Sequence, residues 1–183
     1  MCDILRSLGA SIAKVGSTTS INAKVMDKFL VTHQLGKDIR SSVLFLGALL
    51  SRFRHAVVSY PGGCKIGNRP IDLHLKGLKA LGVAITERHG DLYCDGKSMH
   101  SGTIVFEKQS VGATQNLMLA SVFLSGKTVL KNCAKEPEVA DLAKFLNSMG
   151  AKVFGAGTNT ITIFGVDKLH STTYKAIGDR IVA

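Results

Sequence analysis

LKALGVAI, residues 78–85, has two near-copies in the chain, ILRSLGASI at 4–12 and FLNSMGAKV at 145–153. In each, an amphipathic helical pattern runs into a glycine (Gly82, Gly9, Gly150), and the residues beyond it begin a strand. A glycine there suits a left-handed helix stop, because it alone meets no Cβ penalty in that conformation. Short turns follow at Gly16-Ser17, His89-Gly90-Asp91 and Gly155-Ala156-Gly157, each with a further strand-like segment after it. One structural unit is therefore used three times.

More of the unit recurs outward from these points. Ser41 to Arg52 reads as a helix before a strand Ala56 to Ser59, and Ala113 to Leu124 as a helix before a strand Thr128 to Lys131. Each pair leads into another helix, Ile71 to Gly82 or Glu138 to Met149. In the first copy Met1 falls inside the last helix, so its earlier strands and helix are expected to be missing. VLFLGALL (43–50) and LMLASVFL (117–124) are apolar nearly all round, as in helices buried on every side. The strands alternate instead, Ile21, Ala23 and Val25 against Asn22 and Lys24, or Ile161 and Ile163 against Thr160 and Thr162, which predicts sheets with one wet face. The expected class is α/β with an inside-out arrangement, buried helices and small outer sheets in threefold repetition, the first repeat incomplete. Ala10, Ala48, Ala80, Ala120 and Ala151 offer close helix packing. We expect a single domain over 1–183, with units at about 1–30, 31–100 and 101–177 and a hinge-like tail at 178–183.

The 183 residues are 45% apolar and 20% charged, which suits one globular domain burying roughly 70% of its unfolded surface. The longest apolar run, Val43 to Leu50, is far short of the roughly 20 residues a membrane crossing needs. Met1 leads directly into a structured segment, so no secretory signal and no membrane partner are expected. Four cysteines, Cys2, Cys64, Cys94 and Cys133, form no CxxC pair, so neither a zinc site nor a disulfide framework is expected and a cytoplasmic setting fits. The 23 basic residues against 13 acidic give +10, which favours anionic ligands. The charges are scattered without interleaved aromatics, which argues against nucleic acid as the partner. No histidine pair has metal-ligand spacing, with His33, His55, His89, His100 and His170 in turns or polar surroundings, and no Walker, Rossmann or serine-nucleophile motif occurs.

Chemistry concentrates in YPGGCKIGNRPIDLHLK, residues 60–76. Pro61 to Gly63 end a β-branched run, Pro70 suits the first helical position, and Asp72 falls in the first turn where negative charge is favoured. Unpaired amides at that helix start, beside Lys65 and Arg69, could hold a phosphate or carboxylate. Cys64 is either a thiol of lowered pKa in this cationic loop or a small buried residue. His74 follows on the new helix, as a site residue or a structural one. A second loop, Lys108-Gln109-Ser110-Val111-Gly112, can cradle anions or carbonyls through backbone donors, or simply cap its helix through Ser110 or Thr114. Arg40, opening the first buried helix, can reach a phosphate or solvate the helix end.

These stretches, PGGCKIGNRPIDLHLKGLKALG with the upstream IRSSVLFLGALLSRF, the downstream 108–166 segment and the terminal Asp179-Arg180-Ile181, together resemble the UDP-N-acetylglucosamine enolpyruvyl transferases across essentially the whole chain. The PGGC loop separates that family from the shikimate-pathway enolpyruvyl transferases. The resemblance implies a two-domain enzyme, each domain an inside-out α/β barrel of three units, with the active site between them. It implies transfer of enolpyruvate from phosphoenolpyruvate to the 3′-hydroxyl of UDP-N-acetylglucosamine in peptidoglycan synthesis, with no metal and no cofactor. By resemblance Cys64 is the proton donor and the residue alkylated by fosfomycin, and Arg69 holds phosphoenolpyruvate. Arg40, Arg69, Pro70, Ile71, Asp72, Leu73, His74, Lys108, Gln109, Ser110, Val111 and Gly112 would hold the nucleotide sugar. The family's early Lys-Asn pair and its other domain are not in this sequence, while Gly178 replaces a usual proline and Gln109 a usual apolar residue. The expectation is a cysteine-bearing domain with little turnover alone, partnered by the missing second domain or by self-association. The alternative is a non-catalytic nucleotide-sugar-binding fragment or complementing subunit.

Overall fold

The computed structural model describes residues 1–60 and 70–179. Helix α1 (Cys2–Ser7) leads into a hairpin of β1 (Ser11–Val15) and β2 (Thr18–Asn22). Then come β3 (Leu30–Val31), α2 (His33–Asp38), a 3₁₀ turn (Arg40–Leu44), α3 (Phe45–Phe53), β4 (His55–Ser59), α4 (Asp72–Ala80), β5 (Ala84–Arg88) and β6 (Asp91–Asp95). The chain goes on through β7 (Thr103–Val105), α5 (Val111–Ser121), β8 (Lys127–Lys131), α6 (Pro137–Ser148), β9 (Lys152–Phe154) and β10 (Thr160–Phe164).

Two four-stranded sheets have the same plan, β3-β4-β6-β5 and β7-β8-β10-β9. In each the first pair is parallel and the others antiparallel. The β1–β2 hairpin forms a two-stranded sheet, the counterpart of β5–β6 and β9–β10 alone. α5 lies inside, whereas α3, α4 and α6 each keep an exposed edge, at Ala48 and Arg52, Lys79 and Ala80, and Lys144 and Phe145. α5 packs against α3, α4 and α6 and buries Ala113, Thr114, Asn116, Leu117, Met118, Ala120 and Ser121. No helix among the described residues is long and apolar enough to cross a membrane.

The three glycine stops are built alike. Gly9, Gly82 and Gly150 sit at φ 99°, 86° and 94°. In each case the glycine N–H donates to the carbonyl three residues back and the next N–H donates to the carbonyl five back, as in Gly82 N to Lys79 O at 2.9 Å and Val83 N to Leu78 O at 3.1 Å. That pair of bonds closes a Schellman motif, satisfying carbonyls the helix leaves open. A third bond was not foreseen. The N–H of Lys28, His100 or His170 returns to the carbonyl of the residue capping the helix, Leu8, Leu81 or Met149. The rings of His100 and His170 lie over Gly82 and Gly150, so these histidines belong to the helix stop. His55 begins β4, in polar surroundings, with its Nδ1 3.8 Å from Asp95 Oδ1.

Several expectations need correction. The first buried helix opens as a 3₁₀ turn, because Ser42 N donates to Ile39 O at 2.9 Å and Ser42 Oγ to Gly36 O at 2.9 Å, tightening the chain there. α4 begins at Asp72, after an Ile71 cap with φ −104°, which leaves Pro70 outside the helix. α5 begins earlier than expected, since Ser110 Oγ accepts from Ala113 N at 3.3 Å, while Thr114 Oγ1 accepts from Ala134 N instead. Ala48 and Ala80 are exposed. Close approach falls to Gly47 and Gly77, where a Cβ would overlap the Asn116 backbone carbonyl and the Leu117 side chain of α5. The alternation expected of β2 buries nothing, for all five of its residues are exposed and β2 ends at Asn22. Among the described residues no outer strand or helix covers it, whereas Ile161 and Ile163 in β10 are buried as expected.

Candidate functional site

The starts of α3 and α4 meet the second turn of α5 at Asn116. This side chain is fully buried on α5. Its Oδ1 accepts from Gly47 N, in the first turn of α3, at 2.6 Å. Its Nδ2 donates to Val43 O at 3.1 Å and lies 3.0 Å from His74 Nδ1, in the first turn of α4. A buried amide of this kind is stable only when its donors and its acceptor are matched, and here they are matched across three helices. The imidazole of His74, 7% exposed, also lies against the start of α5, where a Cβ on Gly112 would come within 3.1 Å of Cε1 and 3.2 Å of Nε2. Larger residues at 112 would push the ring away. Two stretches selected separately from the sequence, 70–74 and 108–112, thus adjoin through His74 and Gly112.

The other expected site residues divide. Cys64 and Arg69, with Lys65 and the Pro61–Gly63 turn, lie outside the described residues, as do Arg180 and Ile181. Arg40 opens the 3₁₀ turn that leads to Val43, and its side chain is likewise outside the description. Pro70 and Asp72 are exposed, and Leu73 is half-buried. Ile71 is fully buried, so only its backbone could meet a ligand. Lys108 is exposed. Gln109 Nε2 donates to Asn159 Oδ1 at 3.1 Å, which ties that side chain to the β9–β10 turn. Ser110 caps α5 and Val111 packs against the core.

Electrostatically the site is donor-rich. The first turns of α3 and α4 adjoin α5 here, and helix N-termini carry partial positive charge. Lys76 Nζ pairs with Glu107 at 2.8 and 2.9 Å, which raises the Lys76 pKa and spends its charge within the protein. A groove of about 150 Å³ lies there, lined by Leu73, Lys76, Gly77, Thr103, Val105 and Glu107. It is smaller than the roughly 300 Å³ at which small-molecule pockets begin. The remaining described cysteines are free. Burial pushes the Cys94 thiol up to about 12 and that of Cys133 up to about 11, so neither forms a thiolate near neutrality.

Sequence reasoning missed Asn116, Gly47 and Gly77. The available signal was a polar Gln115-Asn116 step leading into an otherwise apolar helix.

The family model for EPSP synthase (3-phosphoshikimate 1-carboxyvinyltransferase) matches residues 1–183. The chain is 49% identical over all 183 residues to UDP-N-acetylglucosamine 1-carboxyvinyltransferase 2 of Caldanaerobacter subterraneus subsp. tengcongensis, covering 44% of that protein. It is 45% identical over its whole length to UDP-N-acetylglucosamine 1-carboxyvinyltransferase 1 of Carboxydothermus hydrogenoformans, covering 43% of it. The chain therefore spans less than half the length of these curated relatives. Among solved structures, the enolpyruvyl transferase NikO from Streptomyces tendae superposes with a TM-score of 0.77 at 24% identity, over 92% of this chain and 40% of that one. EPSP synthase from Acinetobacter baumannii superposes with a TM-score of 0.67 at 20% identity, over 92% and 39%. Both likenesses are of fold.

Proposed function

Since the chain belongs to the EPSP synthase family, we propose that it forms the cysteine-bearing part of an enolpyruvyl transferase that uses phosphoenolpyruvate and UDP-N-acetylglucosamine. In this reading the sugar 3′-hydroxyl oxygen attacks C2 of phosphoenolpyruvate and its proton passes to solvent, while the Cys64 thiol gives its proton to C3. A methyl proton then returns to the Cys64 thiolate as the C2–O bond to phosphate breaks, so enolpyruvate ends on the sugar and inorganic phosphate is released. Arg69 holds phosphoenolpyruvate. Arg40, the backbone and side chains of 70–74 and the 108–112 loop hold the nucleotide sugar, whose diphosphate suits the positive end of a helix. The observation that supports this most is the junction of His74 with Gly112. Gln109 contributes least, given its bond to Asn159.

The same reading divides the domain into units at about 1–30, 31–100 and 101–177, with 178–183 as a hinge-like tail, and sets the reaction in peptidoglycan synthesis in the cytoplasm. The free cysteines suit that reducing setting. Turnover is the task of two facing domains, because one open face neither excludes water nor aligns both substrates. A second reading, that the chain binds nucleotide sugar and works as a complementing subunit, draws on the uncovered β1–β2 hairpin.

Fosfomycin with and without UDP-N-acetylglucosamine, followed by peptide mass spectrometry, tests the site. We expect nucleotide-sugar-dependent alkylation at Cys64 alone, with Cys94 and Cys133 unmodified because burial keeps their thiols protonated. Equal labelling of several cysteines, or none on folded protein, would remove the catalytic assignment and leave the binding reading to be tested by titration with UDP-N-acetylglucosamine.

A further inference from the structure

We infer that Asn116 is a positioning residue that holds His74 as its Nε2–H tautomer, with the protonated edge of the ring beside Gly112. The consequence for ligand binding rests on the reading above, in which His74 and the 108–112 loop hold the nucleotide sugar.

The argument needs only the neighbours of one amide. Gly47 N–H can only donate, so the Asn116 atom 2.6 Å from it is the oxygen. Val43 C=O can only accept, so the Asn116 atom 3.1 Å from it is the NH₂ nitrogen. Two independent backbone groups thus select the same amide orientation. The NH₂ group has no lone pair to offer, so His74 Nδ1, 3.0 Å away, must accept its second proton and be bare. The proton of the neutral ring then sits on Nε2, at the edge that abuts Gly112. Because Asn116 is fully buried, water cannot substitute for any of these partners.

This matters for an anionic or carbonyl oxygen arriving at the start of α5. An Nε2–H presents a directional neutral donor, whereas the other tautomer would present a lone pair and repel the same oxygen. Asn116 itself, buried beneath His74, contributes through the ring.

The test is long-range ¹H–¹⁵N correlation on the full chain labelled with ¹⁵N-histidine, with His74→Gln identifying the His74 signals. The expected wild-type pattern is a bare Nδ1 and a protonated Nε2, without added ligand. Asn116→Asp replaces the donor by an acceptor and should move the proton to Nδ1. It should also weaken UDP-N-acetylglucosamine binding about tenfold, the scale of one hydrogen bond to a charged oxygen. A protonated Nδ1 or a tautomer mixture in the wild type overturns the inference, and so does a folded Asn116→Asp protein with the wild-type pattern. If Asn116→Asp does not fold, the wild-type spectrum decides alone. Wild-type protein with the expected tautomer and no affinity for UDP-N-acetylglucosamine would overturn the proposed function and leave the tautomer assignment standing.

Discussion

The hairpins β1–β2 and β9–β10 leave their helices through the same Schellman closure, yet one is bare and the other is core. Val153, Ile161 and Ile163 are 3%, 0% and 1% exposed, whereas Val15 and Ile21 are 79% and 51% exposed. Cross-strand pairing cannot account for this, since β1 and β2 pair over five residues and β9 with β10 over three. The difference lies in what stands alongside. β10 has β8 on its other edge, as β6 has β4, and β2 has no such neighbour among the described residues. Local sequence makes the helix stop and the hairpin; burial comes from a distant strand and the helix attached to it.

The largest effect should come from emptying the complete sheet. Ile161 is fully buried and faces Leu130 across β10 and β8. Ile161→Ala should cost about 2–5 kcal/mol, the transfer of the lost methyl groups plus the cavity they leave, measured as a fall in unfolding free energy in urea. A loss below about 1 kcal/mol would mean that this sheet is as loosely held as the hairpin, and the contrast would fail.

A smaller effect separates two glycines that do the same work. Both Gly150 and Gly9 need a left-handed backbone, so alanine at either should cost roughly 1–2 kcal/mol in strain. At Gly150 the new Cβ would also come within 2.9 Å of the His170 ring, while at Gly9 the nearest atom is Asp27 Oδ1 at 3.3 Å. Gly150→Ala should therefore lower the thermal midpoint more than Gly9→Ala. The reverse order would show that His170 yields freely, and that the histidine over the glycine adds nothing to the stop.

The helix stops were legible because a single residue type solves the problem they pose, and it recurs at Gly9, Gly82 and Gly150. The inside-out layering was legible from α5, apolar nearly all round and buried, beside alternating strands, while the equally apolar 43–50 stretch leaves Ala48 exposed. That same uniform apolarity concealed which face of α3 meets α5, since neighbours in a helix point about 100° apart and the contact falls on Gly47 rather than Ala48. Alternation in β2 says which residues share a face and carries no information on whether anything covers that face. Asn116 showed only as a polar step in an apolar helix, and its role was hidden for a related reason. Its partners Gly47, Val43 and His74 lie 69, 73 and 42 residues away, and no local pattern announces such a junction. The segments proposed to hold substrate could be picked out by resemblance; that His74 touches Gly112, and that Ile71 is buried, required coordinates.

The smallest effect should be at the bare hairpin, and it sharpens the comparison most. Ile21 lies opposite Ile12 in the β1–β2 register and is half exposed. Ile21→Ala removes contacts that are mostly with solvent, so unfolding free energy should change by no more than about 0.5 kcal/mol in dilute protein. The open edge of β2, with Ile12 and Ile21 beside it, is also the place where the plan of the other two sheets calls for an antiparallel strand. If a second copy or a complementing chain covers it, the cost of Ile21→Ala should grow with protein concentration or with the added chain, because association then buries the side chain. Urea unfolding of wild type and variant across a hundredfold range of concentration distinguishes the cases. A cost that stays near zero throughout keeps the hairpin as a solvated edge. A cost that rises to 1.5 kcal/mol or more would show that burial withheld by this chain can be supplied by another.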